Sequence, residues 1–372
     1  MPLKSRRNIV ITSDILRPFL EGDHWYSGTW KNVRWLDALV GTAARRAGWN
    51  VRTVSWDTLL SDSSDYVDAH ELYDLLDLPL DIEGWIQLIA KPTLPTEVEQ
   101  KLLANFTGAD LVIGYELPDY LLRIFDRAGF SVIDLVLHPI RFLDDLVIAA
   151  RSNRKDIHRA LCFHALSSDT IDLQVALIKA KAAWMRSTRQ LTGKTALLVG
   201  QVAHDRSIVD LSTRRFRNFG DYRSEIEQLK MEHSAVLFKP HPYDPPNSAS
   251  QCAVRELTGI EWVTDNFYYL VAQPEITTVC AINSSALLEA RHFGKREVWL
   301  SDPLYRFGDE FPSESSRYGG LVPQTPAWIY PSFWRSIKSG ILEAHNIPFV
   351  RDQIRRSFNA DWGFSGVSNV VV

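Results

Sequence analysis

The stretch 195-TALLVGQVAHDRS-207 decides how the rest of the chain is read. TALLV carries no charge and has the length of a buried strand, and Gly200 ends it. Asp205 then stands alone on the loop at the strand's carboxyl end. In open α/β sheets ligands bind at that edge. Asp205 is therefore either a catalytic carboxylate or a loop acid that caps the next turn.

Working outward, apolar runs alternate with helix-like segments, the pattern of βαβ units. In the first half, strands are expected at 8-NIVIT-12, 51-VRTVS-55, 110-DLVIG-114 and 131-SVIDLVL-137. Helices are expected at 33-VRWLDALVGTAARRAG-48 and 118-PDYLLRIFDRAG-129. The acidic, Leu-rich segment 57–105 reads as helical, with breaks at Pro79, Pro92 and Pro95. A long helix follows over Asp172 to Arg189, and 191-LTGK-194 reads as a hinge. The second half restarts the pattern. Strands are expected at 195–199, at 235-AVLFK-239, near Trp262, at 276-ITTVCAI-282 and at 297-EVWL-300, with helices over 222-YRSEIEQLKMEH-233 and 285-SALLEARHFG-294. The expected domains are 1–190, 191–302 and a Pro- and aromatic-rich tail, 303–372, that packs back on the first. The fold class is α/β, with two Rossmann-like domains facing a central cleft.

A chain of 372 residues has room for two domains, and 45% hydrophobic with 23% charged residues is an ordinary globular balance. A net charge of −4 argues against non-specific nucleic-acid binding, although 214-RRFR-217 is a local basic exception whose Arg214 and Arg215 are read as a solvated face ahead of contacts to an anionic donor or lipid phosphates. Three scattered cysteines, Cys162, Cys252 and Cys280, make neither a disulfide framework nor a CxxC metal pattern, which favours a reducing compartment. No run of about 18 apolar residues occurs and the N-terminal apolar run is too short for a signal peptide. The expectation is a cytoplasmic protein, with room for peripheral association at the inner-membrane surface.

The strongest chemical signal is the pair 239-KPHPYD-244 and 283-NSSALLEA-290, each directly after an expected strand. A helix starting at Ser284 or Ser285 offers free N–H groups and hydroxyls to a phosphate, and Lys239 and His241 add charge or a donor. Glu289, one turn in, is a candidate acceptor for ribose hydroxyls. The plainer reading makes Ser284 an N-cap and His241 a loop histidine held between prolines. The co-occurrence of both motifs favours a nucleotide phosphate. No DxD stands at a convincing strand end and no His/Asp cluster has metal spacing, so no metal and no other cofactor is expected.

In this order, GQVxxDxS, KPHP and NSSALLEA resemble the retaining β-Kdo glycosyltransferases of bacterial capsule and lipopolysaccharide assembly. The segment 114–146, with its GYEL and HPxRFLDD stretches, is similar to that family's N-terminal pattern, and the resemblance spans about residues 110 to 300. Ala203 and His204 stand where capsule members carry acidic residues. The HP and SS motifs are shared with bacterial CMP-sialic acid transferases, so they indicate a CMP-sugar more firmly than they indicate the sugar. The resemblance implies a GT-B-like fold, CMP-β-Kdo as donor, an oligosaccharide or lipid-linked saccharide as acceptor, and a covalent intermediate on Asp205. Asn283, Ser284, Ser285, Lys239, His241 and Glu289 would hold the donor nucleotide. Gln201 would bind the sugar or hold the Asp205 loop. Arg141 would fork onto the Kdo carboxylate, or pair with Asp144 or Asp145.

The second step needs a base; Glu116, on the loop after 110–114, is the first candidate and His138 the second. A capping acid and a histidine fixed by Pro139 are their structural readings. Asp14, at the end of the first strand, is a weaker candidate for acceptor binding. Three other readings stay open: an inverting CMP-sialic acid-type transferase, a polysaccharide pyruvyltransferase, and a non-catalytic saccharide-binding module. Oligomeric state leaves no mark on the sequence.

Overall fold

The computed structural model describes residues 7–21, 24–56, 65–184, 190–203, 205–312, 318–343 and 352–358. The chain divides into two compact units: Met1–His138 with Val147–Leu166 and Arg306–Val350, and Pro139–Leu146 with Ser167–Tyr305 and Arg351–Val372. Both are α/β and Rossmann-like.

In the first unit, β1 (Asn8–Ser13) leads into a hairpin of β2 (Pro18–Glu21) and β3 (His24–Ser27). The sheet continues with β4 (Asn50–Thr53), β5 (Leu111–Tyr115), β6 (Val132–Leu137) and β7 (Ile148–Ser152). Strands β4, β1, β5 and β6 are parallel neighbours in that order; β7 pairs antiparallel with β6. Because β4 lies on one side of β1 and β5 on the other, the strand order reverses between β1 and β5. All five residues of β5 are buried, as expected of a parallel strand covered on both faces. The 57–105 segment supplies helices Ala69–Leu75, Ile82–Ile89 and Thr96–Ala104, which lay Leu72, Leu88, Val98 and Leu102 on this core.

The second unit holds β8 (Thr195–Val199), the short hairpin β9 (Val209–Asp210) with β10 (Arg215–Phe216), β11 (Ala235–Lys239), β12 (Ile260–Trp262), β13 (Ile276–Ala281) and β14 (Arg296–Trp299). Its sheet runs β12-β11-β8-β13-β14, all parallel. The order reverses between β8 and β13. Ala196, Leu198, Val236, Phe238 and Cys280 meet Ile226, Leu229 and Val254 from the flanking helices in one core. Finally β15 (Val322–Pro323) returns to the first unit as an antiparallel edge on β7.

The division departs from the expected boundaries at three places, one of them the end of the tail, whose helix Gln353–Phe358 goes with the second unit instead of packing back on the first. Helix Ser168–Trp184 goes with the second unit, burying Ile171, Val175 and Ile178 while Leu173, Leu177 and Trp184 stay exposed. The segment Pro139–Leu146 also belongs there. Phe142 packs edge-on against Tyr268 and Phe293, and Asp145 accepts from the N–H groups of Ile354 and Arg355. The part of the expected helix at 185–189, and the tail beyond 358, lie outside the described residues. Among the described residues no helix is long and apolar enough to cross a membrane.

The turn after β5 hangs on one buried acid. Asp134 on β6 is fully buried; its Oδ1 accepts from the Leu117 N–H at 3.0 Å and its Oδ2 from Arg151 at 2.8 and 2.9 Å. We expect Asp134→Ala to destabilise the protein by about 3 kcal/mol, because Arg151 loses its partner and a backbone N–H is stranded. Asp134→Asn should cost less. Denaturant titration of the two variants checks the order; equal losses would mean that the charge has no part in it.

Candidate functional site

The second sheet's carboxyl edge gathers residues from three loops. The reversal between β8 and β13 is where a doubly wound sheet opens for a ligand. One side chain spans it: the Gln201 Oε1 accepts from the Asn283 N–H at 2.7 Å, while its Nε2 donates to the Ser207 hydroxyl at 3.1 Å. Of the two tasks expected for Gln201, the geometry gives it the loop-holding one. Next to it the β8 and β11 loops press together. A Cβ on Gly200 would lie 3.0 Å from the His241 backbone nitrogen and 3.2 Å from the Pro240 Cα, so any side chain there would press the two loops apart by a few tenths of an ångström.

Asp205 is exposed and sits at the start of a single 3-10 turn, Arg206–Ile208, with its Oδ1 accepting from the Ser207 N–H at 2.8 Å. The capping function is real, and it also fixes the carboxylate's position at the edge. Asp205 lies near enough to His241 for its charge to favour the imidazolium. His204 is outside the described residues.

His241 is half-buried. Its Nδ1 accepts from the Tyr243 N–H at 3.1 Å, so in the neutral ring the proton sits on Nε2, which is left as a donor. Burial pulls its pKa below the ordinary histidine value, against the opposing charges of Asp205 and Asp244. Lys239 is half-buried as well; burial lowers its pKa, and Asp265, on the loop after β12, works against that shift. Asp265 and Asp244 are charged neighbours of the site that motif spacing did not single out. The second was legible as the last letter of KPHPYD.

The third loop carries Asn283, Ser284 and Ser285. Asn283 Nδ2 donates to the Asp302 carbonyl at 2.6 Å. The Ser284 hydroxyl accepts from the Ala286 N–H at 3.3 Å and so does the N-capping expected of it, whereas Ser285 is exposed and makes no cap hydrogen bond. Glu289, expected at ribose hydroxyls, is instead buried: at 4% exposure its Oε1 accepts from the Arg141 N–H at 2.7 Å and the Tyr268 hydroxyl at 2.9 Å. Arg141 thus sits in the second unit beside Glu289, its carbonyl accepting from Arg355 at 2.7 Å. Asp145 is taken up by backbone N–H groups of Ile354 and Arg355.

In the first unit, Glu116 and Asp14 both follow strands at the reversal between β1 and β5. Glu116 is half-buried with a φ of 52°, a strained backbone for a non-glycine residue. Its N–H donates to Leu135 O at 2.8 Å, and Gly114 is kept free of side chain by Leu117, 2.2 Å from where a Cβ would be. His138 is buried, its N–H on Val147 O and its ring edge-on to Phe307 at 4.8 Å. Asp14, a weaker candidate for the acceptor, is 3% exposed and accepts from Trp85 Nε1 at 3.0 Å and the Tyr120 hydroxyl at 3.4 Å, tying two helices to the end of β1. In the basic stretch Arg215 forks onto Asp221 of the following 3-10 turn at 2.8 and 3.0 Å and Arg217 faces Asp210 at 3.5 Å, while Arg214 is exposed. Among the described residues no group of three or more His, Cys, Asp or Glu is placed to hold a metal ion.

Burial pushes the Glu289 carboxyl up to about 7, despite the N–H and charge of Arg141. A folded-state value raised above the unfolded one gives stability that is full below about 4.5 and is lost as pH rises through about 7. Over that window we expect a loss of about 3 kcal/mol attributable to Glu289. Glu289→Gln, which keeps an acceptor for both donors, should flatten this part of the curve in denaturant titrations at pH 5 and 7.5. An unchanged slope would place the titration elsewhere.

No family model and no curated protein matches the chain. Among solved structures it is similar to the β-Kdo 2,7 transferase of Thermosulfurimonas dismutans KpsC, at 12% identity over 86% of this chain and 88% of that one, with a TM-score of 0.41. It is also similar to the UDP-GlcNAc 2-epimerases of Methanocaldococcus jannaschii (11% identity, 89% and 98% covered, TM-score 0.25) and Neisseria meningitidis (11%, 90% and 92%, 0.26).

Proposed function

We propose that the protein is a retaining glycosyltransferase that moves β-Kdo from CMP-β-Kdo to a saccharide of a bacterial surface polysaccharide. The observation that carries this reading is the meeting, at one sheet edge, of an exposed carboxylate, Asp205, with donors suited to a phosphate. Those donors are His241 through Nε2–H, the Lys239 amine and the exposed Ser285. The order of the GQVxxDxS, KPHP and NSSALLEA motifs supports the choice of CMP and Kdo.

The reaction follows from the residue types. The Asp205 carboxylate attacks C2 of Kdo while the C2–O bond to CMP breaks and CMP departs with the electron pair. Lys239, His241 and Ser285 stabilise the charge that grows on its phosphate. The acceptor hydroxyl then attacks C2 from the face CMP left, the bond to Asp205 breaks, and the hydroxyl proton passes to a base. Two inversions restore the configuration. Glu116 is the better base, being half-buried where His138 is more enclosed. The acceptor is a sugar hydroxyl, either free or lipid-linked, with enzyme and acceptor meeting at the cytoplasmic face of the inner membrane. No metal is needed where basic groups meet the phosphate.

Incubation with CMP-Kdo generated in situ, without acceptor, should add one Kdo mass to the peptide carrying Asp205, and not to Asp205→Ala. CMP binding without an adduct, together with an inverted product, would replace this mechanism by a single displacement; absence of CMP binding would remove the nucleotide assignment. His241→Ala should weaken CMP binding about tenfold in calorimetry, the worth of one hydrogen bond to a charged group. In single-turnover assays Glu116→Gln should slow transfer to acceptor more than adduct formation, and equal slowing would take the base role from it.

A further inference from the structure

We infer that Asp244 is a positioning residue for His241: it clamps the 240–248 loop to the helix Ala249–Arg255 and so sets the ring that presents Nε2–H at the carboxyl edge. This rests on the proposed CMP site. Nothing in the motif order assigned Asp244 a task.

The loop is unusual in composition. Pro240, Pro242, Pro245 and Pro246 leave it few backbone donors, and Pro242, Tyr243, Pro245, Pro246 and Asn247 are exposed. A loop so exposed should carry its acid in water, yet Asp244 is only 7% exposed. Its Oδ2 accepts from the Ser248 hydroxyl at 2.6 Å and from Gln251 Nε2 at 3.1 Å, and its carbonyl takes the same Gln251 nitrogen at 3.2 Å. Ser248 is itself the N-cap of the helix Ala249–Arg255, accepting from the Gln251 N–H at 3.2 Å, so the acid is joined to the helix start twice. From the other side, the Asp244 N–H donates to the His241 carbonyl at 3.0 Å and closes the turn in which Tyr243 N–H fixes Nδ1.

One oxygen is left over. Asp244 Oδ1 is buried with no hydrogen-bond partner among the described residues. A carboxylate buried with one oxygen unsatisfied is costly, and its charge acts on the titratable groups around it. One such group is His241, whose protonated form Asp244 favours together with Asp205 and against Lys239. With the Tyr243 N–H on Nδ1 the ring is neutral and keeps Nε2–H for a phosphate, so the clamp supplies geometry in that form; the Asp244 field acts only when the ring charges and Nδ1 lets the Tyr243 N–H go.

The test compares the full chain with Asp244→Ala, Asp244→Asn and Gln251→Ala. One readout is the His241 imidazole by nitrogen-15 NMR, which reports tautomer and titration without ligand; the other is calorimetry with CMP itself. In Asp244→Ala the pure Nε2–H tautomer should give way to a mixture, with CMP binding about tenfold weaker. Gln251→Ala, which keeps the charge but frees one end of the clamp, should shift the tautomer in the same direction. Asp244→Asn keeps an acceptor for Ser248 and Gln251, so it should retain the tautomer while His241 titrates at lower pH. A folded Asp244→Ala with the parent's imidazole spectrum and CMP affinity would overturn the inference. If that variant does not fold, an unchanged tautomer in Gln251→Ala does so instead. Should the parent not bind CMP, the donor assignment fails, and the imidazole spectra alone decide what Asp244 does.

Discussion

The Gln201 side chain holds together the part of the molecule on which the proposed chemistry depends. At the β8–β13 reversal the parallel strands have diverging connections, and nothing in the sheet ladder ties the loop after β8 to the loop after β13. One amide does so, accepting from Asn283 and donating to Ser207. Ser207 in turn donates its N–H to Asp205. Each bond contributes only about 1 kcal/mol, but they act in series. Register at Asn283 sets Gln201, Gln201 sets Ser207, and Ser207 sets the carboxylate.

The acids of the chain sort by burial into two kinds of work. Asp14, Asp134, Asp244 and Glu289 are buried and accept from internal donors: indole and phenol for Asp14, a guanidinium for Asp134, a serine and an amide on one oxygen of Asp244, a backbone N–H and a phenol on one oxygen of Glu289. Such carboxylates brace loops because a stranded partner is expensive. Asp205 is exposed and Glu116 half-buried, each on a turn that a neighbour makes rigid. Preorganised groups of this kind suit chemistry, since they need little rearrangement when charge develops.

Much of this was legible beforehand. The alternation of apolar runs and amphipathic helices placed the strands 8–13, 111–115, 132–137, 195–199, 235–239 and 276–281 to within a residue or two, because a strand buried on both faces has to be continuously apolar. The KPHP and NSSA loops were placed at one edge by the same logic. A parallel sheet puts all its carboxyl ends on one side, so any motif directly after a strand lands there.

What remained hidden depended on contacts between residues far apart in sequence. Glu289 read as an acceptor for ribose hydroxyls one turn into a helix, yet Arg141, from a segment that crosses into the second unit, meets it 148 residues away. Asp14 read as an edge acid until Trp85 and Tyr120 covered it. Local pattern determines which elements form and which ends of strands share an edge, because those follow from period and polarity over a few residues. Burial of a particular carboxylate depends on which distant side chains are packed over it, and only the tertiary structure decides that.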